Sequence, residues 1–128
     1  MQKEEVLQSR FGFTDFRPGQ AQIVDTILSR RDCLAVLSTG AGKSICFQIP
    51  ALMFAGMTYV ISPLVSLMED QVAHLRQKGI PAIALHSSMS KNLYYQTLYE
   101  AIQGGYKLLY LAPERLQNTE FLRFAQRN

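Results

Sequence analysis

Residues 33–44 read Cys-Leu-Ala-Val-Leu-Ser-Thr-Gly-Ala-Gly-Lys-Ser and constrain the fold more than any other stretch. The apolar run at 33–37 has no polar alternation, which predicts a short strand buried on both faces. Gly40 and Gly42 let the backbone turn sharply and point its N–H groups inward. Residues 45–54 are apolar and helix-compatible. Strand, glycine turn, Lys-Ser and helix together describe a phosphate cradle at a helix N-terminus. In that cradle Thr39, Gly40, Ala41, Gly42, Lys43 and Ser44 surround the phosphates. Lys43 reaches the β- and γ-phosphates, and the Ser44 hydroxyl ligates Mg²⁺. The strict pattern G-x-x-x-x-G-K-[ST] is not met, because Leu37 occupies its first glycine position. A plain glycine turn beside an incidental exposed lysine is the competing reading.

Composition narrows the class. The chain has 128 residues, enough for one domain of ordinary size. Hydrophobic residues make up 48% and charged residues 18%, a globular rather than a disordered balance. No apolar stretch approaches the ~18 residues of a membrane-spanning helix. The N-terminus Met1-Gln2-Lys3-Glu4-Glu5 has no signal-peptide core. The expected location is therefore the cytoplasm, near the nucleoid if the source is bacterial, or the nucleus if it is a eukaryote. Cys33 falls on the predicted strand and Cys46 on the helix after the turn, so both are expected to be buried, reduced thiols. With no Cys-x-x-Cys and no neighbouring His, they do not form a metal motif. The net charge of +3 permits a nucleic-acid partner, but the basic residues are scattered rather than clustered.

Along the chain, residues 2–10 read as a helix. An aromatic loop follows, with Phe11, Phe13 and Phe16 beside Gly12 and Pro18-Gly19. Pro18 suits the first turn of a helix running to about residue 29. Pro50 should perturb the helix at 45–54. Residues 58–61, 83–85 and 107–111 are further strand candidates. Between them lie helices at 64–78, closed by Gly79, and at 90–103, closed by Gly104-Gly105. Residues 119–127 read as a last helix. Strands alternating with helices predict an α/β fold, a parallel sheet with helices on both faces and right-handed crossovers. Such sheets bind ligands at the carboxyl ends of their strands. That rule places the turn at 38–44, Ser62-Pro63-Leu64, His86-Ser87-Ser88 and Ala112-Pro113-Glu114-Arg115 on one rim. No repeat or linker is evident, so a single domain is expected.

Four blocks, F-G-F-T-D-F-R-P-G-Q (11–20), S-T-G-A-G-K-S (38–44), S-P-L-V-S-L-M-E-D-Q-V (62–72) and L-A-P-E-R-L (111–116), resemble the RecQ family of DNA helicases in order and spacing. RecQ proteins also use the short Thr-Gly-x-Gly-Lys-Ser turn. The resemblance implies a P-loop, RecA-like domain, here its N-terminal part, using ATP and Mg²⁺. Lys43 and Ser44 are then the catalytic residues of the cradle. It further implies that Gln20 hydrogen-bonds the adenine edge while Phe13 and Arg17 sandwich the ring, where the alternative is core aromatics and a surface arginine. By the same resemblance Ser62, Pro63, Leu64 and Ser66 contact the backbone of single-stranded DNA. Ser62 and Ser66 can instead serve as helix caps. Glu69 and Asp70, unsuited to phosphate, should face away. Pro113 and Arg115 are implied to touch the same strand, unless Arg115 pairs with Glu114 or Glu120. His86 and Ser87 are weaker candidates for DNA contact. A metal role for His86 is not expected, since His74 falls on a separate helix.

For a parent protein the resemblance implies ATP-driven 3′-to-5′ translocation on DNA and unwinding of the duplex, with a second RecA-like domain as partner. The family's Asp-Glu-x-His box does not occur in these 128 residues. Binding without useful turnover is therefore the expectation for this chain alone. Two competing readings remain. One is an RNA helicase of the DEAD-box type, which carries Pro-Thr-Arg-Glu-Leu where this chain has Ser62-Pro63-Leu64-Val65-Ser66-Leu67. The other is a non-catalytic nucleotide-binding or interaction module.

Overall fold

A computed structural model of the chain describes residues 1–38, 40 and 42–127. The chain packs as two compact units, Met1–Ala55 and Gly56–Asn128.

The first unit is helical. It comprises α1 (Lys3–Phe11), α2 (Gln20–Leu28) and α3 (Lys43–Met53). α1 and α2 both pack on α3. The helices bury Val6, Leu7, Phe11, Val24, Cys46, Ile49 and Ala51, so the helical periodicity of the sequence becomes the core. α1 carries Glu4 and Glu5 in its first turn and Arg10 in its last, which complements the helix dipole. α2 begins at Gln20, so Pro18 and Gly19 lie in the turn before it rather than in its first turn. α3 runs through Pro50, which is buried inside it.

One strand expectation is corrected here. Residues 31–38 form no strand, and Leu34 and Val36 are 92% and 88% exposed. Cys33 is likewise exposed, not buried. An apolar run records a preference for burial, but a strand also needs a neighbour to satisfy its N–H and C=O groups. The sheet's three strands pair with one another, and residues 33–37 are not among them.

The second unit is α/β. Its order is β1 (Thr58–Ile61), α4 (Val65–Gln77), β2 (Ala82–Leu85), α5 (Lys91–Ile102), β3 (Leu108–Leu111), a 3-10 turn (Pro113–Gln117) and α6 (Thr119–Arg127). The sheet is parallel throughout, in the order β1-β3-β2. β3 is therefore central, and all four of its residues are buried. That suits its unbroken Leu-Leu-Tyr-Leu run. Thr58 and Ala82 flank Leu108 in register, and Ile61 and Leu85 flank Leu111. Ile83, Leu85, Leu98, Leu109, Leu111, Phe121 and Phe124 form one buried cluster on this sheet. Two side chains start helices: Ser90 Oγ accepts the Leu93 N–H at 3.2 Å, and Asn118 Oδ1 accepts the Phe121 N–H at 3.0 Å. Among the described residues no helix is long and apolar enough to cross a membrane.

Candidate functional site

In the first unit, the aromatic loop and the glycine turn meet. Gln20, the first residue of α2, is only 2% exposed. Its side-chain oxygen accepts the Arg17 backbone N–H at 2.8 Å. Its Nε2 donates to the Gly42 carbonyl at 2.9 Å. Arg17 reaches the same turn independently, its guanidinium donating to the Gly40 carbonyl at 2.6 Å. A small cavity of about 130 Å³ is lined by Leu7, Phe13, Asp15, Arg17, Gln20, Gly42 and Ile45. Phe13 is 48% exposed, so it is no core plug, whereas Phe11 is buried.

Gly42 suits this turn through its backbone, and a side chain there would displace the Gln20 amide. Its φ of 76° is left-handed, and an added Cβ would stand 2.5 Å from the Gln20 amide nitrogen. Immediately after it, Lys43 and Ser44 open α3, Lys43 exposed and Ser44 half-buried. No acidic side chain lies in that first turn, so the positive end of the helix is not neutralised locally. Cys46, one turn on, is buried, and that burial pushes its thiol pKa up. Thr39 and Ala41 lie outside the described residues.

Phe13, Arg17, Gln20, Gly40 and Gly42 are thus brought together as the sequence blocks suggest. Leu7 and Ile45 also line the cavity, and sequence reasoning missed both. Leu7 is one apolar residue of the helix at 2–10, and nothing local tells which way it faces.

In the second unit, three loops leave the carboxyl ends of the parallel strands. Backbone bonds continue the ladder one residue further. The Ser62 N–H donates to the Leu111 carbonyl at 3.0 Å, and the Ala112 N–H to the Leu85 carbonyl at 3.2 Å. The loop roots on this edge are therefore held in register. Ser62 Oγ accepts the Leu64 N–H at 3.2 Å, so this hydroxyl stabilises the turn into α4. Pro63, Leu64 and Ser66 are exposed.

Pro113 opens the 3-10 turn. Arg115 is half-buried, with its guanidinium carbon 4.7 Å from the centre of the Tyr94 ring. Its Nε has no hydrogen-bond partner among the described residues. It forms no ion pair with Glu114 or Glu120, and Glu120 instead accepts the Tyr95 hydroxyl at 3.2 Å.

One expectation fails on this edge. His86 is 5% exposed and is not presented to a nucleic acid. Glu69 is exposed, and its carboxylate meets His86 Nε2. The partner of His86 comes from α4, which precedes β2 in the chain. Ser87 and Ser88 remain exposed. Among the described residues, no three His, Cys, Asp or Glu side chains are placed to hold a metal.

Residues 17–127 match the family model described as DEAD/DEAH box helicase. The chain is 54% identical to the protein named "ATP-dependent DNA helicase RecQ" of Synechocystis sp., over 88% of this chain and 24% of that protein. Identically named proteins of Haemophilus influenzae and Bacillus subtilis are 47% and 45% identical over 91% and 96% of this chain. The chain spans only 19% and 21% of their lengths. A solved structure titled as a hypothetical ATP-dependent RNA helicase from Sulfolobus tokodaii superposes with a TM-score of 0.74. It covers 95% of this chain and 37% of that one at 19% identity, a likeness of fold alone.

Proposed function

This chain belongs to the DEAD/DEAH box helicase family, and from that premise we propose that it is the nucleotide-binding part of a RecQ-type DNA helicase. Residues 1–128 then contribute the N-terminal part of the first RecA-like domain. The observation that carries this reading is the convergence of Arg17 and Gln20 on the carbonyls of Gly40 and Gly42, directly before the α3 N-terminus. A loop suited to a flat base and a turn suited to phosphates form one connected structure.

The residue roles follow from their chemistry. The buried Gln20 amide donates and accepts at once, as reading an adenine edge demands. Phe13 offers a ring face and Arg17 a planar guanidinium, both of which stack on a base. The unneutralised start of α3 attracts phosphate oxygens. Lys43 adds a mobile cation, and Ser44 a hydroxyl oxygen of the kind that ligates Mg²⁺. Bound Mg-ATP supplies the free energy of phosphoryl transfer, and these groups orient it. Ser62, Pro63, Leu64, Ser66, Pro113 and Arg115 are assigned to the DNA strand. The first-turn N–H groups of α4, from Val65 to Leu67, meet phosphates, and the hydroxyl of Ser66 adds a donor. In the parent, this part works with a second RecA-like domain.

The adenine assignment is tested with a fluorescent ATP analogue and ATP or GTP as competitors. Gln20→Ala should weaken ATP by about tenfold and GTP far less, the cost of losing a paired polar contact. Equal losses for the two nucleotides would refute adenine readout. Lys43→Ala should abolish ATP-dependent unwinding by the full-length protein while single-strand binding persists, and continued unwinding would remove the cradle assignment.

A further inference from the structure

His86 closes β2, and its imidazole is the buried end of a cleft of about 380 Å³ that also presents Glu69, Arg76, Gln96 and Glu100. An ionised carboxylate can only accept, so the bond between them is donated by His86 Nε2–H to Glu69. The other ring nitrogen, Nδ1, has no partner among the described residues. Glu69 is therefore the side-chain anchor of this imidazole.

The bond has a mechanical consequence. Glu69 lies in the second turn of α4, and α4 starts directly after Ser62-Pro63-Leu64. Leu64, at the N-cap position, makes no side-chain cap. The first N–H groups of α4 are thus oriented by the pose of the helix, not by a cap. The loop is held at its root by the Ser62 N–H to Leu111 bond on the central strand and by the Leu64 N–H to Ser62 Oγ bond. The Glu69–His86 bond ties the N-terminal part of α4 to the end of β2, while the Arg76 Nε–Ala82 carbonyl bond at 2.8 Å holds its C-terminal part and buried Met68, Val72 and Leu75 seat the helix on the sheet.

We infer that Glu69 and His86 form a positioning pair that fixes the first turns of α4, so that the 62–66 loop presents its donors to a nucleic-acid phosphate. This rests on the reading of that loop as a DNA contact. Charge alone makes the opposite prediction. A carboxylate close to the loop repels phosphate, so removing it should tighten binding. Positioning requires that removing the hydrogen bond weakens it.

Glu69→Gln and Glu69→Ala separate the two, since both delete the charge and only glutamine keeps an acceptor for His86. Affinity for a labelled oligo(dT) is measured by fluorescence anisotropy on the full-length protein. Glu69→Gln should bind at least as tightly as the wild type, and Glu69→Ala about tenfold more weakly than Glu69→Gln. Affinity for the ATP analogue should be the same in all three. Amide exchange supplies the second readout. Glu69→Ala should speed exchange at residues 64–68 and leave β3 (Leu108–Leu111) unchanged. Equal oligo(dT) affinity of the two variants, or exchange that rises across β3 as well, overturns the positioning role. A wild-type protein that does not bind oligo(dT) overturns the DNA-contact reading itself, and the inference with it.

Discussion

At the scale of single residues, the proposed nucleotide site depends on what Gly42 lacks. Its left-handed φ costs an L-residue roughly 1–2 kcal/mol, and its missing Cβ leaves room for the Gln20 amide. Gly42→Ala should therefore lower stability by about that amount in urea unfolding. It should also displace Gln20 and weaken the ATP analogue. If it binds nucleotide as the wild type does, the Gln20–Gly42 contact is not part of the site. Gly40, Gly42, Lys43 and Ser44 are legible in the sequence because glycine turns have local signatures. The Gln20 and Arg17 contacts to the turn are not, because they join residues 22 and 23 positions apart. Arg115 shows the same limit. Its neighbours Glu114 and Glu120 suggest an ion pair, yet it lies over Tyr94.

At the scale of elements, most helices and strands fall where periodicity and turn residues place them. The predicted strands at 58–61, 83–85 and 107–111 appear as Thr58–Ile61, Ala82–Leu85 and Leu108–Leu111. The helices at 64–78 and 90–103 appear as Val65–Gln77 and Lys91–Ile102. Gly79 and Gly104 lie just past their ends, as expected of residues that tolerate left-handed turns. Ser90 gives α5 a defined start, and its hydroxyl accepts one of the helix's unpaired N–H groups. Ser90→Ala should cost about 1 kcal/mol of stability. Ser90→Asp should restore it, since aspartate caps equally well. A shift of the urea midpoint in Ser90→Ala without recovery in Ser90→Asp would show that the loss does not come from capping.

At the scale of the whole molecule, the exposed run at 33–37 and the buried Cys46 make opposite demands on their thiols. Cys33 is open to solvent, while Cys46 is enclosed and its pKa is raised by burial. Thiolate is the reactive form, so maleimide at mildly alkaline pH should label Cys33 first and Cys46 only on unfolding. Mass spectrometry of peptides gives the order. Early protection of Cys33 would mean that residues 33–37 do pair, as their apolar run predicts. Parallel α/β alternation, the turn chemistry and the four family blocks were all readable from the chain itself, because each is set by residues within a few positions of one another. Three matters were settled only in three dimensions: which strands pair, that Arg17 and Gln20 close on the glycine turn, and that His86 is buried against Glu69. Each joins groups far apart in sequence, where hydrogen-bond partners are found by packing and no local pattern records them.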